Sequence, residues 1–108
     1  MKYLMSLIIF IIVIFTINSQ VVFIEKNPHL ADFRVKVTDN RHIADLFVHV
    51  TTNQHRAKRV DGLWYYTNNR HRADIVIYFE NNRHRADIVI YFVNYPSMAG
   101  WKSNKPKY

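Results

Sequence analysis

The sequence NNRHRADIVIYF occurs twice in succession, at residues 68–79 and again at 81–92, with only Glu80 between the copies. Its second half, IVIYF, is β-branched and aromatic, carries no charge and contains neither proline nor glycine, which is typical of a buried strand. Its first half is polar and suits a connection on the surface. One strand and one connection therefore form a unit of thirteen residues, and the chain repeats it.

Weaker copies of the unit extend along the chain, each centred on an alanine. The alanines are thirteen residues apart except for one interval of sixteen, and they are Ala31, Ala44, Ala57, Ala73, Ala86 and Ala99. Aspartate follows the alanine in four units: Asp32, Asp45, Asp74 and Asp87. We expect these alanines to lie where successive turns of the chain cross, since a small side chain lets the layers approach closely.

After each alanine the apolar residues alternate with period two, as in Phe33, Val35 and Val37, and no segment shows the 3.6-residue period of a helix. The sequence therefore predicts an all-β fold of six roughly thirteen-residue strand-loop repeats. Because the later strands are apolar on both faces, we expect them to be central and the strand at 33–37 to be peripheral. The asparagines between strands tolerate left-handed backbone and predict turns that their own side chains close, and Asp61-Gly62 predicts a tight turn.

The connections limit the topology. A connection of eight residues reaches about 26 Å, whereas a strand of five residues is about 17 Å long. The chain can therefore run back beside each strand and begin the next strand in the same direction, which predicts a wound, compact coil. An antiparallel meander with long loops remains the alternative.

The two ends of the chain differ from the repeats. Residues 1–19 carry a cation, Lys2, near their start, then an apolar run at 7–15, and end at Ser19, an order typical of a cleaved secretory signal peptide. Residues 20–102 then form the domain and 103–108 a basic C-terminal tail. We expect a protein that is secreted, periplasmic or on the cell surface, with no transmembrane segment after cleavage. A retained membrane anchor and a buried core segment are the alternatives, although the apolar run is shorter than the roughly twenty residues of a spanning helix.

Composition limits what supports the fold. The chain has 108 residues, enough for one domain, and carries 15 Lys and Arg against 8 Asp and Glu, for a net charge of +7. It contains no cysteine, whereas small exported domains commonly depend on disulfides. Stability must therefore come from packing, from topology or from self-association.

Several of these segments together resemble one known family. They are the Arg-Ala-Asp starts at 72–74 and 85–87, the LWYY at 63–66 and the closing VNYPSMAGWK at 93–102. Over about residues 31–102 the chain resembles the septoil knot domain family of small, often exported bacterial proteins. The resemblance implies a backbone wound into a deep torus knot with seven crossings. It implies no catalytic residue, because the family is uncharacterised in activity.

The repeated polar residues argue against chemistry at a single site. A catalytic group needs surroundings that differ from the rest of the molecule, whereas the His-x-Ala-Asp element recurs; we predict no enzyme activity, no catalytic residue and no cofactor. Arginines beside the histidines oppose a dication, so we predict no metal site. The sequence favours an exported structural or interaction scaffold of unknown partner.

The alternative function is an anion-binding module. The Arg-His-Arg triplets would gather cations on one side of a wound sheet, and such a surface attracts nucleic acid, acidic polysaccharide or lipid headgroups. The candidate residues are Arg41, Arg56, Arg70, His71, Arg72, Arg83, His84 and Arg85. The competing expectation is that each arginine pairs with an aspartate of its own or the adjacent unit.

Overall fold

A computed structural model of the chain describes residues 20–54 and 61–102. The predicted signal peptide at 1–19, the basic tail at 103–108 and the middle of the third unit, with His55, Arg56 and Ala57, lie outside the described residues. Within the described ranges, no helix is long and apolar enough to cross a membrane.

Seven strands lie in the part of the chain that the structure describes, and the prediction of an all-β fold is confirmed. They are β1 (Val21–Ile24), β2 (Phe33–Val37), β3 (Leu46–Val50), β4 (Leu63–Tyr66), β5 (Ile75–Phe79), β6 (Ile88–Phe92) and β7 (Gly100–Trp101). Strands β2 to β7 follow the six alanines in order. Strand β1 precedes the first unit and was not predicted.

The first six strands are parallel and close into a barrel in the order β4, β1, β5, β2, β6, β3 and back to β4. On its first pass around the barrel the chain places β1, β2 and β3 with a gap between neighbours. On its second pass it places β4, β5 and β6, and β5 and β6 fill those gaps. Strand β7 adds to β3 in the antiparallel direction. The prediction of a wound coil is confirmed, and the parallel pairings exclude the meander.

The expectation of a peripheral strand at 33–37 was wrong. Strand β2 pairs with β5 through Phe33 and with β6 through Val37, so it has a neighbour on both sides. Its polar residues, Arg34 and Lys36, lie on the outer face of the barrel, and a closed barrel has no edge for them to mark. Polarity on one face therefore indicated the outside of the barrel and not its border.

The core fills the barrel with the alternating residues that the sequence pattern selects. Its buried members are Val22, Val35, Leu46, Val48, Trp64, Ile75, Ile77, Ile88 and Ile90. Phe33, Tyr66, Phe79 and Trp101 are partly buried and pack against them. Each fully buried aliphatic side chain contributes about 1.5–3 kcal/mol through removal from water, so this cluster holds the two passes of the chain together.

Tyr66 gives the fold a dependence on alkaline pH. Its burial raises the pKa of the phenol above the ordinary 10.0. Above pH 10 the unfolded chain loses this proton before the folded chain does, so the free energy of unfolding should fall as pH rises through the folded-state pKa. Tyr66→Phe should show a smaller alkaline loss in urea titrations, whereas Tyr95→Phe, at an exposed position, should match the wild type. Identical alkaline losses in all three proteins would contradict this role.

Candidate functional site

Four of the described connections are closed by an asparagine side chain. Asn69 precedes the 3₁₀ turn Arg70–Arg72, and its Oδ1 accepts the backbone N–H of His71 at 3.0 Å. Equivalent bonds run from His29 to Asn27 at 3.0 Å, from His42 to Asn40 at 3.0 Å and from His84 to Asn82 at 2.9 Å. The histidines contribute a backbone N–H to these bonds, so the asparagine holds the turn.

The prediction that asparagine side chains close these turns is confirmed. Asn27, Asn69 and Asn82 are extended, with φ of −102°, −109° and −95°. Among the described residues, positive φ occurs only at Gly62 and Gly100. The side chain caps the turn, and the backbone therefore needs no unusual conformation.

The repeated aspartate joins the two passes of the chain. Asp32 donates its backbone N–H to the carbonyl of Val76 at 2.7 Å, and its Oδ2 accepts the N–H of Val76 at 2.9 Å. The other pairs are Asp45 with Val89 at 2.7 and 2.9 Å, Asp74 with Val21 at 2.8 and 2.9 Å, and Asp87 with Arg34 at 2.7 and 2.7 Å. Both polar backbone groups of each strand residue are thereby satisfied by one aspartate.

This pairing explains why aspartate is repeated. The partners are 44 residues apart in Asp32 with Val76 and 53 apart in Asp74 with Val21, so each bond connects different passes around the barrel. A buried N–H without an acceptor costs about 1–3 kcal/mol, and Val76 is buried. The sequence indicated a polar turn but could not show that the carboxylate acts on a distant strand.

Asp32→Ala should lower the free energy of unfolding by about 1–3 kcal/mol, because the N–H of Val76 loses its acceptor. Asp32→Asn keeps an amide oxygen and should cost less than half as much. Asp39→Ala removes an exposed aspartate from the next connection and serves as the control, with a change within about 0.5 kcal/mol. Urea titration measures all three, and equal losses in the Asp32→Ala and Asp39→Ala variants would contradict the pairing.

The candidate arginines are not equivalent in the structure. Arg70 Nη1 forms an ion pair with Glu25, and its Nη2 donates to the carbonyl of Leu30 at 2.7 Å. The guanidinium of Arg41 lies 5.7 Å from the ring centroid of Phe47, within the range of a cation–π contact. Both cations are thus already engaged within the chain.

Five other candidates lie exposed in the connections: His71, Arg72, Arg83, His84 and Arg85. Within residues 20–54 and 61–102, two ion pairs join arginine to glutamate: Arg70 with Glu25, and Arg34 with Glu80 at 3.8 Å. Sequence reasoning did not single out either glutamate, because each lies about 45 residues from its partner. Neither of these two ion pairs involves an aspartate.

One of the exposed arginines lines a cleft. The cleft has a volume of about 460 Å³ and is bounded by His42, Ile43, Ala44, Asp45, Arg83 and Lys102. The Nζ of Lys102 donates to the carbonyl of His42. The end of the domain thereby lies against the connection between β2 and β3, which carries His42, and beside the connection between β5 and β6, which carries Arg83. Lys102 was not among the candidates, since it stands outside the Arg-His-Arg triplets.

The alanines end the turns. The N–H groups of Ala73 and Ala86 both donate to the carbonyl three residues earlier, at 3.2 Å, and Ala31 and Ala99 do the same at 3.4 and 3.2 Å. Ala44 is 3% exposed, whereas the other four are half-buried. Their place at crossings of the chain stays a prediction.

Within residues 20–54 and 61–102, no three His, Asp or Glu side chains lie close enough together to hold a metal ion. The Nδ1 of His49 lies 3.1 Å from the carbonyl oxygen of Val93.

Comparison with known proteins agrees with this geometry. The family model described as the 7(1) septoil knot domain matches residues 17–102, a range that includes all of the described strands. The interleaved double winding of the barrel is consistent with a knotted β scaffold. No curated protein and no solved structure matches the chain.

Proposed function

Because this chain belongs to the septoil knot domain family, we propose that it acts as an exported, knotted scaffold for interactions and not as an enzyme. The observation that carries the proposal is the use of the repeated polar residues. The four aspartates bond to strand backbone, and the asparagines cap turns. The aspartates and asparagines that the repeat multiplies are therefore committed to holding the fold.

The C-terminal end of the barrel supplies a surface for interaction. Ile24, Val37, Val50 and Phe92 stand at equivalent positions at the ends of parallel strands and are 37–42% exposed. Exposed apolar residues gathered at one end of a barrel favour contact with another protein surface. We expect self-association through this end.

Sedimentation of the wild type over a range of concentrations tests the surface. The double variant Val37→Thr, Val50→Thr keeps the β-branched shape but adds hydroxyls, and it should raise the dissociation constant of the self-associated form at least tenfold. A matched change on the outer face, Lys36→Thr, should leave the constant unchanged. A wild type that remains monomeric at high concentration would contradict self-association through this end of the barrel.

Export is a separate part of the proposal and rests on the signal-like residues 1–19. Expression of the full chain in an export-competent bacterium, followed by N-terminal sequencing, should yield a product outside the cytoplasm that begins at Gln20. A product that keeps Met1 and fractionates with the membrane would support the retained anchor in its place.

A second function, binding of a polyanion such as nucleic acid, acidic polysaccharide or lipid headgroups, is favoured by the exposed arginines. Arg72, Arg83 and Arg85 make no ion pair within residues 20–54 and 61–102, and the whole chain carries a net charge of +7. Free guanidinium groups attract phosphates and sulfates and release counterions when they bind them.

Salt titration on heparin and on DNA tests this second function. Binding should weaken steeply with salt, and Arg72→Gln with Arg85→Gln should lower the affinity at least tenfold and flatten the salt slope by about one to two charges. Arg34→Gln, which removes a cation that already pairs with Glu80, is the control. No retention of the wild type on either resin at low salt would remove the polyanion function.

A further inference from the structure

The internal repeat allows one arginine to be compared with its copy. Arg70 and Arg83 occupy the same position in successive units, thirteen residues apart, as do Glu25 and Thr38. Arg70 lies 45 residues after Glu25, and Arg83 lies the same distance after Thr38. The second pair is therefore the copy of the first, with threonine in place of glutamate.

At the first copy, Glu25 does two things. Its Oε1 accepts the N–H groups of Lys26 and Asn27 at 3.0 and 3.2 Å, and its Oε2 binds Arg70. At the second copy, Thr38 does only the first, since its Oγ1 accepts the N–H of Asn40 at 3.1 Å. The turn is kept, and the negative charge is lost.

Arg83 is consequently a cation whose built-in counter-ion is absent. It is exposed and makes no ion pair or side-chain hydrogen bond within the described part of the chain. At the equivalent position, a carboxylate fits against the guanidinium of Arg70. The copy of this arginine in the preceding unit therefore already holds an oxyanion.

The cleft around Arg83 adds to the attraction. Lys102 brings an ammonium group to the carbonyl of His42, while the Oδ2 of Asp45 accepts the N–H of Val89 at 2.9 Å. Arg83, Lys102 and Asp45 together leave one positive charge on the lining. The volume of about 460 Å³ is many times the roughly 30 Å³ that a water molecule occupies in the liquid, so a hydrated tetrahedral anion fits.

We propose that the cleft lined by Arg83, Lys102 and His42 is a binding site for one phosphate- or sulfate-type oxyanion, which pairs with Arg83 as the carboxylate of Glu25 pairs with Arg70. The planar guanidinium binds such groups through paired N–H donors. The site rests on the anion-binding function proposed above and gives it a specific location.

The test is calorimetric titration of the full chain with inorganic phosphate, and separately with inorganic sulfate, at low ionic strength. The wild type should bind one ion per chain. Arg83→Gln should weaken binding at least tenfold, whereas Arg70→Gln should leave it unchanged. If the affinities for phosphate and sulfate differ, the tighter-binding ion shows which of the two anions the site prefers. Absence of saturable binding, or equal binding by wild type and Arg83→Gln, would overturn the site.

Two further variants test the site more directly, because each gives one repeat copy the residue that the other copy carries at the position of Glu25 and Thr38. Thr38→Glu should supply the missing carboxylate, pair with Arg83 and reduce phosphate affinity at least tenfold. The turn tolerates glutamate, because Glu80 Oε1 caps an equivalent connection by accepting the N–H of Asn82 at 3.1 Å. Glu25→Thr should release Arg70 and raise the stoichiometry from one ion to two. Unchanged affinity in Thr38→Glu would refute the site even if Arg83→Gln had lost binding.

The outcome is separable from that of the polyanion function. If the protein is retained on heparin or DNA through Arg72 and Arg85 but binds no phosphate, the oxyanion site in the cleft is ruled out and the polyanion function is supported. Phosphate binding that disappears in Thr38→Glu, without retention on either resin, would establish the cleft and remove the polyanion function.

Discussion

Gly62→Ala should destabilise the protein by at least about 3 kcal/mol, among the largest effects expected of a single substitution. Gly62 has φ of +89°, a conformation that L-residues rarely adopt. A Cβ at this residue would lie 2.3 Å from the carbonyl oxygen of Phe47 and 2.9 Å from the backbone nitrogen of Gly100. Both are backbone atoms, and the strands that carry them would have to separate.

Gly100→Ala is the matched control for Gly62→Ala. Gly100 also has a positive φ, of +139°, but a Cβ there would meet no atom within 4 Å. This variant should therefore show backbone strain alone, about 1–3 kcal/mol, and Gly62→Ala should exceed it in urea titrations. A loss in Gly62→Ala no larger than that in Gly100→Ala would show that contact with the strands plays no part.

The position of Gly62 explains the size of the effect. Strand β3 pairs with β7 through Leu46 and Phe47, and with β4 through His49 and Val50, on the same side. The carbonyl of Gly62 accepts the N–H of His49 at 2.8 Å, which fixes it at the junction of the three strands. The pairing of β3 with β4 closes the barrel, and the backbone of β3 and β7 leaves no space for a side chain at residue 62.

Much of the fold could be predicted because the sequence is repetitive. Alternation in copies of one unit identified the strands β2 to β6, and the eight-residue connections favoured winding in one direction. Strand β1 was missed because VVFI precedes the first alanine and shares none of the Ala-Asp signature. The order of strands was beyond reach, since identical units give no preference for one neighbour over another.

The candidate site was predicted in composition but not in detail. Sequence alone marked the Arg-His-Arg triplets as cationic. It could not show that Arg70 is neutralised by Glu25 while Arg83 is not, because that difference depends on which connections meet across the barrel. Lys102 was missed for the same reason, as it reaches the cleft only after β7 folds back against β3.

Trp64→Ala should cost about 3–5 kcal/mol. Trp64 is the largest of the fully buried side chains, with an exposure of 0%, and it belongs to the cluster that fills the barrel. The equivalent residues in β5 and β6 are Ile77 and Ile90, so the wide ring on β4 fills space that no other unit fills. Removing it leaves a cavity lined by residues of several strands, which cannot collapse independently.

Two variants separate the volume of Trp64 from its position in the repeat. Trp64→Ile installs the residue that β5 and β6 carry, and it should recover part of the loss, to about 2–3 kcal/mol below the wild type.

Trp101→Ala removes the other tryptophan, which is only half-buried and donates its Nε1–H to Asp61 at 2.9 Å. Its effect in the same urea titration should be smaller than that of Trp64→Ala, because part of the Trp101 ring is already in water. Equal losses in Trp64→Ala and Trp101→Ala would mean that the barrel interior is not the main source of stability. A full recovery in Trp64→Ile would show that the core tolerates the uniform repeat and that the ring fills no necessary space.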